Sequence, residues 1–243
     1  ADDGSNVNLG GLPTVPDTTP PNFGIAPAPT YEPSANPLFS EAEQGIPSTQ
    51  QVSNPSEYDQ ALQPFVARSF ATDFAQSHAD IGPMAIVEAP DGSIIVSAGT
   101  KRSTLYRFDS HGGQVGLAHE HWIDLPYPIF NLAFDLEGHL WATTGGGPLL
   151  QLDPETGAIV NEFGDGLTMA LAVEPDTGLL YVGSGKGVEV FDPATQEFTH
   201  FSRDLDLRIS SLAFALDGSL WAVTWPDRRQ VVRFNDLDRA ELM

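Results

Sequence analysis

Two sets of residues in this chain could do chemistry: a sparse group of cations and one histidine pair. The sequence holds 11 Lys and Arg against 33 Asp and Glu, a formal net charge of −22. Five of those 11 cations fall in three short segments: SAGTKRSTL (97–105), GSGKG (183–187) and TWPDRRQ (224–230). They are Lys101, Arg102, Lys186, Arg228 and Arg229. Guanidinium and ammonium groups suit carboxylate or phosphate. These five, with Asn131 and Arg208, are therefore candidate contacts for an anionic small molecule or glycan, and Tyr127 and Trp225 would supply stacking walls. Asp80, Asp124, Asp165, Asp204, Asp206 and Asp227 compete for the same cations. His119 and His121 are two apart, so on a strand they point to one side. They are weak candidates to share a metal ion, and a solvent-facing pair is the competing reading. The acidic runs DLDL (204–207) and DLDR (236–239) lack EF-hand spacing, although calcium takes six to eight oxygens. A divalent cation such as calcium is the one cofactor candidate.

GSGKG fails as a phosphate loop. That pattern needs Gly where Leu180 stands and Ser or Thr where Gly187 stands. No nucleophile–base–acid set can be assembled, so no catalytic residue is assigned and the chain leans towards a non-enzyme.

The elements that would hold these residues repeat. AIVEAPDGSIIVSA from Ala85, NLAFDLEGHLWATT from Asn131, LAVEPDTGLLYVGS from Leu171 and LAFALDGSLWAVT from Leu212 align. Their turn glycines, Gly92, Gly138, Gly178 and Gly218, are spaced 46, 40 and 40 apart. Acidic-Gly between apolar runs is a hairpin signal, because Gly accepts positive φ. A third strand follows each time, ending at Phe108-Asp109, Leu152-Asp153, Phe191-Asp192 and Phe234-Asn235. LAHEHWIDL, AIVNEFG, EFTHFSR and RAELM then read as fourth strands. Four antiparallel strands every 40 residues or so predict an all-β chain of β-propeller blades. A β-sandwich built from the same hairpins is the competing arrangement.

The repeated "apolar strand, DG turn, LW or LY strand, then apolar-Asp-Pro-x-Thr" pattern resembles the streptogramin-lyase, gluconolactonase-like and NHL-type propellers over residues 81–243. That resemblance implies that the loop segments above gather on one face with the 4–1 connections, at the mouth of a channel. It implies an opposite, acidic face carrying Asp91, Glu137, Asp176 and Asp217. Lyases and lactonases of these families use metal and carboxylate or histidine in the channel. Glu88, Asn131, Asp135 and Glu174 are the candidates for those positions here, and they match neither family's set.

Residues 1–62 differ. They hold ten of the 20 prolines and no Lys or Arg, the composition of a Pro-rich, acidic arm or linker. Short helices are expected at 41–44 and 55–63. Residues 63–243 divide into blades at about 81–127, 128–167, 168–207 and 208–243, preceded by a partial one whose outer strand is PFVARSF (64–70). Four blades plus a partial one leave the ring open. Three outcomes are expected: a longer propeller, a partner chain that completes it, or the arm covering the open edge.

A net charge this negative excludes nucleic acid as a partner, and no apolar run is long enough to span a membrane. An acidic, lysine-poor chain with no cysteine that starts at Ala1 suits a bacterial-like extracytoplasmic setting, periplasmic, secreted or cell-surface. The functional expectation is an acidic, exported or surface-associated module for ligand or protein binding and assembly. The alternatives are a metal-dependent lyase or lactonase-like hydrolase completed by missing blades, and a structural subunit docking through its arm.

Overall fold

The computed structural model describes residue 37, residues 49–51 and 60–62, and residues 68–116, 121–203, 208–226 and 229–234. Two short strands, β1 (Thr49–Gln51) and β2 (Gln60–Leu62), pair antiparallel. Within the helix expected over 55–63, residues 60–62 are strand instead, and 55–59 and 63 lie outside the described residues. Here ladder hydrogen bonds to a partner strand override a weak local helix preference. The helix expected at 41–44 lies outside the described residues.

The first blade is a four-stranded antiparallel sheet of β4 (Ala85–Glu88), β5 (Ile94–Ala98), β6 (Thr104–Phe108) and β8 (His121–Asp124). Its first hairpin turns at Gly92, whose φ is +81°. The second and third blades are β9 (Asn131–Phe134), β10 (Leu140–Thr143), β11 (Gly147–Leu152), β12 (Ile159–Val173), β13 (Leu180–Ser184), β14 (Gly187–Asp192) and β15 (Glu197–Arg203). These seven strands form one continuous sheet. Sequence reasoning separates AIVNEFG and LAVEP into two blades' strands, whereas β12 runs through both. Its first half pairs with β11 and its second half with β13, with a register shift between Leu167 and Leu171. The fourth blade shows β16 (Ile209–Phe214), β17 (Leu220–Thr224) and β18 (Val231–Phe234). Its expected fourth strand, RAELM, lies outside the described residues.

Alternation along each strand gives every blade two apolar faces. One face looks forward to the next blade and the other looks back. Ile95 and Leu105 look forward onto Leu132, Leu140 and Leu150 of the second blade. Trp141 and Leu149 look forward onto Leu171, Leu180 and Val182 of the third. Tyr181 and Val188 look forward onto Leu212, Leu220 and Ala222 of the fourth. Burying one such side chain contributes about 1.5–3 kcal/mol. Hydroxyls add bonds across each junction. Ser97 Oγ donates to Ile129 O at 3.0 Å, Thr143 Oγ1 to Met169 O at 2.8 Å, and Thr168 Oγ1 to Ile209 O at 3.3 Å.

Among the described residues no blade precedes the first, and residues 68–80 do not supply one. Of the partial blade expected from PFVARSF, residues 68–70 are not strand, and residues 64–67 lie outside the described residues. The segment instead lays β3 (Ala71–Thr72) parallel to β7 (Gly113–Gln114). Phe70 meets Phe108 edge-on at 5.8 Å, and Phe74 meets Tyr106 at 5.3 Å. These rings cover Val96 and Ala98 on the backward face of the first blade.

Candidate functional site

The loops between second and third strands do share a face with the blade-to-blade connections. Leu125 N donates to Ser103 O, Gly146 N to Leu167 O, and Trp225 N to Arg208 O. On that top face a cavity of about 440 Å³ opens beside the third blade. Its floor is the bend of β12 at Gly164–Leu167, and its walls are the Ser184–Lys186 loop and the upper ends of β14 and β15. Positive φ at Gly164 (+65°) lets β12 bend there, and a Cβ on Gly164 would come within 3.0 Å of the Phe198 ring.

Three side chains give the cavity its chemistry. Glu189 stands in the apolar run GVEVF and is buried. Its register partner is His200, and His200 Nδ1 lies 2.6 Å from one carboxylate oxygen. Ser184 Oγ donates to the other at 3.2 Å, and also accepts from Lys186 N at 3.1 Å. The carboxylate therefore sits between hydroxyl and imidazole. A nucleophilic serine needs the imidazole beside its hydroxyl, so this order holds the groups in place without activating the oxygen. Phe198 provides an apolar wall, and Lys186 and Asp165 bring opposite charges to the rim.

Of the described residues expected to bind an anion, only Lys186 lines this cavity. Arg102 is engaged elsewhere: its Nε donates to Ser77 Oγ at 2.9 Å and its guanidinium lies 5.6 Å from the Phe130 ring centre. Lys101 is exposed near Asp124, whose carboxyl is held below the usual range by the Thr104 hydroxyl, then by His121, with Lys101 contributing. Tyr127 donates its hydroxyl to Glu162 at 2.9 Å, and that bond raises its pKa. Asn131 Nδ2 reaches Leu171 O at 3.4 Å, tying the second blade to the third. Arg208, Trp225 and Arg229 are exposed on the fourth blade, where Trp225 precedes Pro226 through a cis peptide. Arg228 lies outside the described residues, as do His119, Asp204, Asp206 and Asp227. The partner histidine, His121, is exposed with Nε2 3.2 Å from Asp124. Among the described residues no three His, Asp or Glu side chains gather as metal ligands.

Asp135 is not a free channel group. It is buried in the first hairpin of the second blade, where it accepts from Trp141 Nε1 at 2.8 Å and contacts His139 Nδ1 at 2.9 Å. Burial pushes its pKa up, but the bonds from Trp141 and His139 outweigh that and hold it low. Ser184, Glu189, Phe198 and His200 were missed from sequence. The available signal was the lone acid in GVEVF, four strand positions that are otherwise apolar.

No protein-family model matches the chain, and no characterised protein matches it in sequence. Solved structures do. The chain is similar to a streptogramin B lyase at 14% identity and TM-score 0.49, over 70% of this chain and 59% of that one. It is also similar to the extracellular domain of BT4673 from B. thetaiotaomicron, at 17% identity and TM-score 0.46, over 68% of this chain. The computationally designed Ika4 protein matches at 15% identity and TM-score 0.48, over 70% of this chain and 98% of that one. The chain spans about a quarter of the BT4673 domain and about three fifths of the lyase. At these identities and TM-scores the likenesses carry no argument about function. The assignment as β-propeller blades rests on the four repeated antiparallel strand units themselves and the apolar cores between them.

Proposed function

We propose that this chain is a non-catalytic binding and assembly module working outside the cytoplasm, with a small anionic ligand seated in the cavity of the third blade. The observation that carries the reading is the Ser184–Glu189–His200 arrangement: polar groups line an apolar-walled cavity, yet they satisfy one another in an order that activates no nucleophile. Lys186 at the rim supplies the charge for a carboxylate, and Phe198 supplies the flat face for a ring or sugar. The acidic, cysteine-free composition supports the extracytoplasmic setting. Titration calorimetry with small carboxylates and acidic glycans tests it. Saturable binding is expected, weakened about tenfold or more by Lys186→Glu, with the ligand recovered unchanged. Chemical conversion of the ligand, or equal binding by the Lys186→Glu variant, contradicts the reading.

A further inference from the structure

The third blade puts a carboxylate where the other blades put core. Glu189 pairs with Val182, in the position that Tyr106, Leu150 and Val232 take opposite Val96, Ala142 and Ala222. Tyr106 and Leu150 are buried, and so is Glu189. A carboxylate is kept in such a place only where hydrogen bonds or an opposite charge meet it. Ser184 and His200 supply one contact to each oxygen. A carboxylate offers about four acceptor positions on its two oxygens. Acceptor capacity therefore remains towards the cavity that Glu189 lines.

The rim adds two opposite charges. Leu167 pairs with Ser184, so Asp165 and Lys186 lie two residues beyond that pair, on the two chain segments that border the cavity. Both are exposed. Asp165 Oδ1 accepts from Gly166 N at 2.8 Å. Among the described residues no ion pair joins Asp165 to Lys186. Leu167 and Phe198 give the lining its apolar part, and the Phe198 ring is braced 4.7 Å from that of Phe191. The lining thus holds two carboxylates, Asp165 and Glu189, against the ammonium of Lys186, with His200 set on Glu189. A ligand that brought negative charge alone would satisfy Lys186 and face repulsion from both acids. A ligand with one carboxylate and one ammonium answers all three.

We infer that the cavity binds a free amino acid as its zwitterion, with an apolar or aromatic side chain. The carboxylate meets Lys186. The ammonium, which carries three donors, reaches Glu189 and Asp165. The side chain lies against Phe198 and Leu167. A volume of about 440 Å³ falls in the range of small-molecule sites. The repeat supports the aromatic choice: in the first blade the matching residue, Tyr106, carries the Phe74 ring at 5.3 Å. Gly185 keeps the mouth open, since a Cβ there would meet nothing within 4 Å. The inference rests on the carboxylate seat proposed at Lys186 and adds a second charge to it.

Titration calorimetry with three probes tests it: L-phenylalanine, 3-phenylpropionate, which lacks the ammonium, and L-phenylalanine amide, which lacks the carboxylate. L-Phenylalanine is expected to bind about tenfold or more tightly than either. Asp165→Asn and Glu189→Gln are each expected to erode that advantage over 3-phenylpropionate without weakening 3-phenylpropionate itself. Should Glu189→Gln not fold, Asp165→Asn at the exposed rim carries this arm. Gly185→Trp fills the mouth and is expected to abolish binding of L-phenylalanine. Equal or tighter binding of 3-phenylpropionate overturns the inference and leaves the carboxylate seat standing. Equal binding of the amide overturns the inference and the seat together. No binding by any of the three overturns the inference, and the carboxylates and acidic glycans of the preceding test then decide the seat separately. An unchanged preference for phenylalanine in Asp165→Asn and Glu189→Gln, or unaltered binding by Gly185→Trp, also overturns it.

Discussion

The first and fourth blades carry the same Asp-Gly-Ser hairpin and the same arginine, yet their forward faces end differently. In the first, Ile95 is sealed beneath the second blade and Arg107 reaches a carbonyl there. In the fourth, Trp221 stays partly open and Arg233, among the described residues, contacts its own aspartate and the Trp221 ring. Strand sequence writes the face, and the neighbouring blade decides whether it is core or surface. The backward face of the first blade makes the same point from the other end. Among the described residues no blade lies before it, and the chain covers it with Phe70 and Phe74. The protein thus closes one end of its stack with its own segment, while among the described residues nothing closes the other.

Removing the aromatic ring at equivalent positions gives the largest contrast. Trp141→Ala should cost about 3–5 kcal/mol, the range for emptying a packed aromatic site, and it also strips Asp135 of a hydrogen bond. Trp221→Ala should cost less than about 1 kcal/mol, in line with a partly exposed site. Urea unfolding of both variants measures the pair. Similar losses would mean that the fourth face is already covered.

That contrast also marks what sequence could and could not reach. The blade grammar was legible because hairpin glycines, period-2 strands and a 40-residue repeat are local signals. Trp141 and Trp221 align by spacing alone. Their different burial is not local, since it depends on which blade follows. One of the expected cations differs for a related reason. Arg102 sits in the expected loop, but its guanidinium is drawn to Ser77 and the His78 carbonyl, contacts made by a segment from far back in the chain. Glu189 and His200 form the cavity only through cross-strand register, which two β-strands fix and a linear reading does not display. The break between blades two and three was lost because glycines allow β12 to bend without ending.

Acid offers a smaller and more symmetrical effect. Asp91 is held at about 2, first by the Ser93 hydroxyl and backbone N–H and then by Arg107. Asp217 is lowered in the same manner by Ser219 and then Arg233. A depressed carboxylate adds stability above its unfolded pKa of about 3.9 and loses it as pH falls through its folded value. Stability should therefore drop as pH falls from about 4 towards 2, and Asp91→Asn and Asp217→Asn should each flatten that drop. Both sites are exposed, so the change is modest. A steeper drop in either variant would break the equivalence drawn between the two hairpins.

Amide hydrogen exchange of the native chain, comparing β10 with β17, tests the central claim most directly. Both are second strands carrying the aligned tryptophan, and local protection follows burial and packing on both faces. If the forward face of the fourth blade is uncovered, β17 should exchange many-fold faster than β10. Equal protection of the two strands would show that the fourth blade is packed on both sides and would contradict the account.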